Sequence, residues 1–474
     1  MKRFQYIFLL GLFFLGACGN FGDTNVDPNN PSNASTSALL TRSQRSISGV
    51  IADVAPILYV QHLSEKQYTT TSQYGVPNTD FGTWYSGPLI SLQTIIDLNT
   101  DDATKVAALS GGGNNNQIAV ARILKAFYFQ FITDTWGEVP YSQSLDAKND
   151  VFTPAYDTQE AIYTDLLKEL TEAVAQIDNG DAVRGDILFG GNMEDWKRFA
   201  NTQRMVLAMR ISDVSPAKAQ QAFEAAYNAG VLTTNVAYPY LGETNNQNPW
   251  FGRFLTRYDY VASKTMVDYL TSVNDPRMSS FFEPAASTGT YVGLAHGIND
   301  AGDTPTADVS AMNSSLIRSQ SAPLYIYTQA QINFYLAEAA NRGWSVGGTA
   351  QSFYEKGVEE SLKQWKGDDY NAAEYAAYIA QTSVAWDATN ANELIGRQKW
   401  VALFLQGHEA WSEWRRTGYP ALVPARDPLN QSGKIPVRYG YPTTEAGNNK
   451  ANYDAAVASQ GPDELDTRVW WDMN

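Results

Sequence analysis

The apolar residues of this 474-residue chain recur mostly at helical spacing, and this periodicity constrains the fold more than any other feature. In one stretch Val120, Leu124, Phe127 and Phe131 follow one another at intervals of four, three and four residues. Such intervals place side chains on one face of an amphipathic helix. Few stretches alternate with a period of two, so the sequence predicts a mainly α fold with little sheet.

The predicted helices fall into four pairs, each resembling a tetratricopeptide-like hairpin. In one pair a glycine-containing turn at 343–348 joins the helices, and Ala337 and Gly357 suit close packing between them. In another pair Asp157 is the predicted cap of the second helix. The four predicted pairs are 117–135 with 158–178, 193–212 with 216–229, 324–342 with 350–366, and 392–407 with 408–416.

Long irregular stretches separate the predicted helices. Connections of this length in a compact protein are usually functional or disordered, and the many aromatic residues in these stretches argue against disorder. We therefore predict a long-loop, low-sheet ligand face supported by the helical pairs. The irregular stretches are 66–88, 136–156, 232–260, 280–323 and 417–474.

The N-terminus predicts secretion and lipidation. Lys2 and Arg3 precede an apolar run from Ile7 to Leu15, which is shorter than the roughly 20 residues needed to cross a bilayer. The run leads into Leu-Gly-Ala-Cys, which looks like a bacterial lipobox, and its Cys18 is the only cysteine of the chain. We predict cleavage before Cys18 and acylation of its thiol. The alternative is an ordinary signal peptide that happens to contain a cysteine.

The sequence thus predicts a signal peptide over 1–17, a lipidated tether over 18–37 and a single domain over 38–474. The tether is rich in asparagine, aspartate, proline and serine, a composition that favours turns. Its beginning resembles an EF-hand loop, but Pro28 stands where glycine is needed and Ala34 where glutamate is needed. No metal site is predicted.

The composition excludes one class of partner and favours another. The formal net charge is −16, and a field of that sign repels polyanions, so nucleic acid is not an expected partner. The chain contains 27 tyrosines and 12 tryptophans. These side chains favour a neutral ligand that is recognised by stacking and hydrogen bonds.

No catalytic or cofactor motif survives a test of its context. A G-x-S-x-G sequence occurs at 343–347, but a predicted helix precedes it, whereas a nucleophile elbow follows a strand. His62, His296 and His408 lie far apart in sequence and lack metal-ligand spacing. The 50 acidic residues include no pair that the sequence singles out for glycoside hydrolysis. We expect no enzymatic activity and no cofactor, with a lipoprotein glycosidase as the less favoured alternative.

Two of the irregular stretches combine aromatic rings with amides. A ring can cover the apolar face of a sugar while an amide binds its polar rim. Trp84 lies between glycines and a proline, which favours an exposed turn. The alternative for each ring is burial beneath the loops. The glycan-binding residues predicted in these stretches are Tyr68, Tyr74, Trp84, Tyr85, Asn248 and Trp250.

Several short segments resemble those of one known family, in the order in which that family carries them. Gln-Lys-Trp at 398–400 is followed by Glu-Ala-Trp-Ser-Glu-Trp-Arg-Arg-Thr-Gly-Tyr-Pro at 409–420. Ile-Pro-Val-Arg at 435–438 precedes Tyr-Pro-Thr-Thr-Glu at 441–445, and Asp-Pro-Arg occurs at 275–277. These segments resemble the SusD/RagB family of nutrient-binding proteins.

The resemblance implies a non-enzymatic outer-membrane lipoprotein at the cell surface. It implies that the protein captures an oligosaccharide for a SusC-like TonB-dependent transporter, with peptides or another nutrient as the alternative cargo. Starch-binding relatives place stacking aromatics in the regions that hold Trp84 and Tyr291 here, which adds Tyr291 to the predicted glycan-binding residues. Trp411 and Trp414 share a helix face, so we expect them to be structural, and we expect Arg415 and Arg416 to satisfy nearby carbonyls or carboxylates.

Overall fold

A computed structural model describes residues 35–474 of the protein. The predicted signal peptide, the predicted lipidation site at Cys18 and most of the predicted tether lie outside the described residues. The first helix of the described residues begins at Thr36, where the Ser35 hydroxyl caps it by accepting a hydrogen bond from the Ala38 amide at 3.5 Å. None of the helices described between residues 35 and 474 has the length and hydrophobicity that a membrane span requires.

The described residues are mainly helical, which confirms the predicted fold class. A five-residue π-helix, Tyr85–Leu89, connects α4 directly to α5. The α-helices are α1 (Thr36–Arg45), α2 (Ile47–Ile51), α3 (Val54–Tyr59), α4 (Gly82–Trp84), α5 (Ile90–Thr100), α6 (Lys105–Ala108), α7 (Asn114–Trp136), α8 (Gln159–Gln176), α9 (Met193–Arg210), α10 (Pro216–Asn228), α11 (Pro249–Arg253), α12 (Lys264–Ser272), α13 (Met278–Phe281), α14 (Gln329–Asn341), α15 (Ala350–Lys366), α16 (Ala372–Ile379), α17 (Ala391–Ala402), α18 (Gly407–Thr417), α19 (Glu445–Asn448) and α20 (Lys450–Gln460).

The sheet content is low, as predicted, and consists of short antiparallel pairs that fasten distant parts of the chain together. In the first pair Leu63 lies opposite Ala262, and in the second Val139 lies opposite Asp157. The pairs are β1 (Leu63–Glu65) with β5 (Tyr260–Ala262), β2 (Val139–Pro140) with β3 (Tyr156–Asp157), and β4 (Val236–Tyr238) with β6 (Leu324–Tyr327).

All four predicted helical pairs are present. The helices of α7/α8, α9/α10, α14/α15 and α17/α18 pack against each other, and α8 with α9 and α14 with α17 join neighbouring pairs. Gly357 on α15 permits a close approach to α14, because a Cβ atom at that position would lie 2.8 Å from the Phe334 ring. The sequence-based expectation of close packing at Gly357 is confirmed.

The helix expected over 392–407 ends at Ala402, and two predicted helix starts are also wrong, each for a local reason. The helix expected from residue 324 begins at Gln329, because 324–327 forms β6 and the Thr328 hydroxyl caps the helix by accepting from the Gln331 amide at 3.1 Å. The cap of α8 is Thr158 and not Asp157. The Asp157 carboxylate instead accepts a hydrogen bond from the Ser142 amide at 2.8 Å.

The C-terminal motif residues are structural, as expected. The Trp411 indole donates to the Pro436 carbonyl at 2.8 Å, and the Arg415 guanidinium donates to the carbonyls of Asp134 at 2.7 Å and Val437 at 2.9 Å. These contacts fasten the last irregular stretch onto the helical scaffold. That stretch also contains α20, a helix of 11 residues that the sequence analysis missed.

A buried ion network joins three of the four pairs. The Glu413 carboxylate of α18 lies 2.7 Å from both the Lys399 ammonium of α17 and the Arg416 guanidinium, and 3.0 Å from the Arg210 guanidinium of α9. Arg416 also binds Glu338 of α14 at 2.6 Å. All five side chains are buried. Burial alone would raise the pKa of Glu413, but Arg416, Lys399 and Arg210 hold it well below its usual value.

Candidate functional site

Four of the five predicted irregular stretches meet in one region, which we call the loop face. Pairing of β1 with β5 places the loop that begins at Lys66 beside 254–260, and the Lys66 amide donates to the Asp259 carbonyl at 2.7 Å. The Gln73 side-chain amide donates to the Asp427 carbonyl at 2.8 Å and also to the Asn299 side chain. The loop face therefore comprises 66–75, 254–260, 291–318 and 420–430.

Tyr68 is the most exposed ring of the loop face. Its side chain is 70% exposed, and its backbone has φ of +56°, a conformation that is uncommon for residues other than glycine. The Arg257 guanidinium lies 5.0 Å from the ring centroid and donates to the phenol oxygen at 3.2 Å. Backbone strain of this kind is typical of functional positions that the surrounding structure holds in place.

A buried carboxylate holds the Tyr68 loop closed at its base. The Ser72 amide donates to the Glu65 carboxylate at 2.8 Å, so a single hydrogen bond spans the loop between these residues. Burial raises the pKa of Glu65 to about 7, against the lowering effect of the Ser72 hydrogen bonds. The ring of Tyr68 therefore projects from a loop whose ends are fixed.

A second exposed tyrosine lies next to Arg257 in the chain. Tyr258 is 39% exposed, and its ring meets that of Phe254 edge to face at 5.4 Å. The Arg318 guanidinium lies 5.4 Å from the Tyr258 centroid and 5.0 Å from the Phe254 centroid. Arg318 is itself held by the Met312 carbonyl at 2.7 Å. We call Tyr68, Phe254, Arg257, Tyr258 and Arg318 the Tyr68–Tyr258 platform.

The platform has the chemistry of a sugar-binding surface. Exposed rings can cover the apolar face of a pyranose, and guanidinium groups beside them can donate hydrogen bonds to its hydroxyls. A cation over an aromatic ring also orders both side chains before a ligand arrives. The arrangement is therefore suited to a neutral, hydroxylated ligand.

Tyr291 also belongs to the loop face. Its ring is half-buried, and burial raises the pKa of its phenol. The neighbouring Val292 carbonyl accepts from the Ser310 amide at 2.8 Å, and the Ser310 carbonyl accepts from the Ala262 amide of β5 at 2.9 Å. The predicted region around Tyr291 is thus fastened to the strand that precedes α12, and its binding role stays a prediction.

Trp84 does not stand on an exposed turn, and that expectation is wrong. It ends α4 and is followed by the π-helix, and its half-buried ring meets Phe131 edge to face at 4.9 Å. A Cβ atom at Gly49 would lie 3.1 Å from the Trp84 ring. Glycine and proline here occur within consecutive helical turns, and this explains the error. A contribution of the remaining exposed edge to binding stays a prediction.

Tyr85 lies beside Trp84 but faces a different part of the surface. Its ring is half-buried, and its hydroxyl donates to the Pro140 carbonyl at 2.6 Å. Phe129 and Phe81 lie 5.9 Å and 5.6 Å from its centroid. The ring therefore lines the surface of the chain next to 140–154 and not the Tyr68–Tyr258 platform.

Three predicted site residues are buried and support the loops. Trp250 has no exposed surface, and the Asn248 side chain caps α11 by accepting from the Trp250 amide at 2.7 Å. Asn248 also donates to the Ala322 carbonyl at 2.7 Å. The buried Tyr74 accepts from the Ala425 amide at 2.8 Å through its hydroxyl. All three side chains are buried, so the alternative of burial beneath the loops holds for Tyr74 and Trp250, and Asn248 supports a loop from within.

Four of the five platform residues were not among the residues predicted from the sequence. Phe254, Arg257, Tyr258 and Arg318 lie within stretches already predicted to be ligand loops. The signal that could have identified the first three is the run Phe-Leu-Thr-Arg-Tyr-Asp-Tyr at 254–260, which combines three aromatic residues with two charged ones and contains no amide side chain. The predicted site residues were rings beside amides, and the rings of the platform lie beside guanidinium groups instead.

The motifs that were rejected as catalytic stay apart from the platform. Residues 343–347 connect α14 to α15, so a helix and not a strand precedes Ser345, as expected. The His62 side chain forms a hydrogen bond with the Trp400 carbonyl at 2.9 Å, and the His408 side chain forms one with the Asp53 carboxylate at 2.9 Å. No group of three potential metal ligands occurs between residues 35 and 474.

Comparisons with known proteins give a consistent result. A family model, SusD-like and described as "Starch-binding associating with outer membrane", matches residues 28–442. A solved structure named as a chitin-binding protein is 30% identical, with a TM-score of 0.81 over 93% of this chain and 100% of that chain. A SusD homologue from Bacteroides uniformis is 27% identical, with a TM-score of 0.77 over 92% and 99%.

A further solved structure is a chitin-binding SusD homologue from Flavobacterium johnsoniae. It is 25% identical to this chain, with a TM-score of 0.75 over 93% of this chain and 99% of that chain. The search among curated proteins finds no match. The family model spans well over half of the sequence, and the helical pairs beneath a loop face agree with it. The chain therefore belongs to the SusD-like family of starch-binding proteins that associate with the outer membrane.

Proposed function

We propose that this protein is a lipid-anchored glycan-binding protein of the cell surface that delivers an oligosaccharide to a SusC-like TonB-dependent transporter. The observation that carries the glycan part is the Tyr68–Tyr258 platform, in which two exposed tyrosines lie beside two guanidinium groups. Membership of the SusD-like family supports it. The anchor and the transporter follow from the predicted lipobox and from the resemblance to the family.

The ligand that fits best is a neutral oligosaccharide. The chain carries a net charge of −16, which disfavours acidic glycans at long range. The family description names starch and two structural relatives are named for chitin. Oligosaccharides of glucose and of N-acetylglucosamine are therefore the first ligands to test. Peptides and other nutrients on the same scaffold are the second candidate, and a glycosidase is the third.

Removing the two exposed platform tyrosines is expected to weaken glycan binding. Tyr68→Ala and Tyr258→Ala should each lower the affinity by about five- to a hundredfold, because loss of one stacked ring costs about 1–3 kcal/mol. Isothermal titration calorimetry of the protein lacking residues 1–18, against maltohexaose, chitohexaose and a peptide mixture, measures the change. The thermal midpoint of Tyr68→Ala should shift little, since Tyr68 is largely exposed.

Tyr370 provides a matched control for the platform variants. Its half-exposed ring also lies beside a cation, 5.5 Å from the Lys363 ammonium, but it belongs to the connection between α15 and α16. Tyr370→Ala should bind as wild type does. Unchanged affinity in both platform variants would contradict the site, and binding of peptides in place of sugars would favour the second candidate. Turnover of a bound oligosaccharide would favour the third.

The transporter is tested separately. We expect the protein to co-purify with a TonB-dependent transporter when the outer membrane is solubilised in mild detergent. A single lipid anchor at one end lets the body move while it stays beside the membrane, so the body can cover and uncover a transporter. Affinity purification followed by mass spectrometry identifies the partner. Consistent extraction of the protein alone under these conditions would remove the support for delivery.

A further inference from the structure

An open groove lies apart from the Tyr68–Tyr258 platform. It has a volume of about 440 Å³ and is bounded by the α4–α5 segment, by the connection from β2 to β3 and by α19. We call it the Phe152 groove. Its principal lining residues are Phe81, Tyr85, Leu145, Phe152, Glu445 and Asn448.

The floor of the groove is rigid and aromatic. The buried Phe81 ring meets Tyr85 edge to face at 5.6 Å and Trp136 at 5.7 Å. The Tyr85 hydroxyl is fixed on the Pro140 carbonyl at 2.6 Å. Because these contacts set both ring orientations, the floor is preformed for a ligand.

Phe152 stands at the groove with its ring largely uncovered. Its side chain is 72% exposed, although phenylalanine is among the residues most often buried. The backbone that follows it is held, because Asn452 donates to the Thr153 carbonyl at 3.0 Å and Asn449 donates to the Pro154 carbonyl at 2.8 Å. The exposed ring is thus presented by a fixed segment.

The rim supplies both hydrogen-bond donors and acceptors. The Asn448 side chain is exposed and forms no hydrogen bond with any other residue between 35 and 474. The hydroxyls of Ser86 and Ser144 donate to the Gly82 carbonyl at 3.0 Å and to the Tyr141 carbonyl at 2.7 Å, so each keeps an oxygen lone pair for a ligand. Glu445 accepts from Tyr156 through one of its carboxylate oxygens at 2.6 Å.

The charge of the lining selects among ligand classes. Glu445 is the one charged residue among the described residues that line the groove. An anionic ligand would be repelled, and a carboxylate, hydroxyls and an amide beside an exposed ring match the hydroxyls and apolar face of a neutral sugar. These features favour a sugar over an apolar peptide, which would leave the polar rim unpaired.

We propose that the Phe152 groove is a second binding site for a neutral oligosaccharide. This inference rests on the proposed function and adds a site to it. The stretch 66–88 contributes to both sites, Tyr68 to the platform and Tyr85 to the groove. Between them the Asn78 side chain donates to the Tyr441 carbonyl at 2.7 Å. Because this bond pins the intervening chain, a substitution in one site should leave the other intact.

Photo-crosslinking tests the two sites separately. The full-length protein in detergent is mixed with chitohexaose or maltohexaose that carries a diazirine, irradiated and analysed by peptide mass spectrometry. Wild-type protein should give adducts in 141–154 or 445–452 and also in 66–68 or 254–260. Phe152→Ala with Asn448→Ala should reduce the first group at least about fivefold and spare the second. Tyr68→Ala with Tyr258→Ala should reduce the adducts in 66–68 and 254–260 and spare those in 141–154 and 445–452.

Val106→Ala provides the control, because Val106 on α6 is 73% exposed and belongs to neither site. It should change neither group of adducts. Platform adducts without groove adducts, or groove adducts unchanged in the Phe152 and Asn448 variant, would overturn the second site and leave the proposed function standing. Adducts at neither site would overturn both. Displacement of groove adducts by an apolar peptide but not by unlabelled oligosaccharide would assign the groove to peptides instead.

Discussion

Replacing Glu413 with alanine is expected to lower the free energy of unfolding by about 3–5 kcal/mol. The Glu413 carboxylate contacts Lys399, Arg416 and Arg210, and all three cations are buried. Its removal leaves Arg416 and Lys399 with Glu338 alone. Taking a carboxylate out of a buried network costs far more than the pairing energy, since the remaining cations stay desolvated.

Urea unfolding followed by circular dichroism measures this effect, provided that the m-value is compared as well as the midpoint. Glu413→Gln keeps the shape and part of the hydrogen bonding, so it should cost less and serves as the variant of choice if Glu413→Ala does not fold. The wild-type contribution of Glu413 should be present above about pH 4.5 and be lost as the pH falls toward its lowered pKa. A loss below about 1 kcal/mol would contradict the network.

A matched control lies on the neighbouring helix. Glu393 and Arg397 form an ion pair on α17, the helix that also carries Lys399, and both side chains are partly exposed. Exposed pairs contribute about 0–1 kcal/mol, because water screens the charges and the side chains lose freedom. Glu393→Ala should therefore unfold at nearly the wild-type urea concentration.

Replacing Cys18 with serine is expected to abolish membrane retention. A serine hydroxyl cannot take the thioether-linked diacylglycerol that the predicted lipobox attaches to the cysteine. Two or more acyl chains hold a protein stably at a membrane, whereas one gives reversible binding. Cys18 is the only cysteine of the chain, so the substitution breaks no disulfide.

Fractionation with a carbonate wash, together with labelling by an alkyne fatty acid, measures the anchor. The wash removes protein that is held only by a transporter. Asn20→Ser is the control, because it introduces serine two residues away and keeps the cysteine. If Cys18→Ser still takes up the label or survives the wash in the membrane fraction, the anchor lies elsewhere.

The helical pairs were predictable from the sequence because their signal is local. Apolar residues at intervals of three and four define a helix face within the segment itself. In three of the four pairs the connection is short, 211–215, 342–349 and 403–406, and helices that follow each other closely in the chain usually pack as neighbours. The helix ends were less predictable. Whether 324–327 continues α14 or forms β6 depends on β4, a strand that lies about 90 residues earlier in the chain.

The candidate site was likewise predictable only in part. The sequence by itself determined that aromatic residues crowd the long loops and that the fold is helical, since composition and periodicity are properties of single segments. It did not determine which rings face outward. Tyr74 and Trp250 are covered because the distant backbone at Ala425 and Ala322 bonds to the loops that carry them.

Tyr68 and Tyr258 stay uncovered, and only the tertiary structure decided this. The pairing of β1 with β5 brings their two loops together and places Arg257 over the Tyr68 ring. A tyrosine in a loop has the same local sequence signal whether a distant segment covers it or not. Burial of the Tyr74 and Trp250 rings is set by contacts between residues 74 to 351 positions apart, and no local pattern records them.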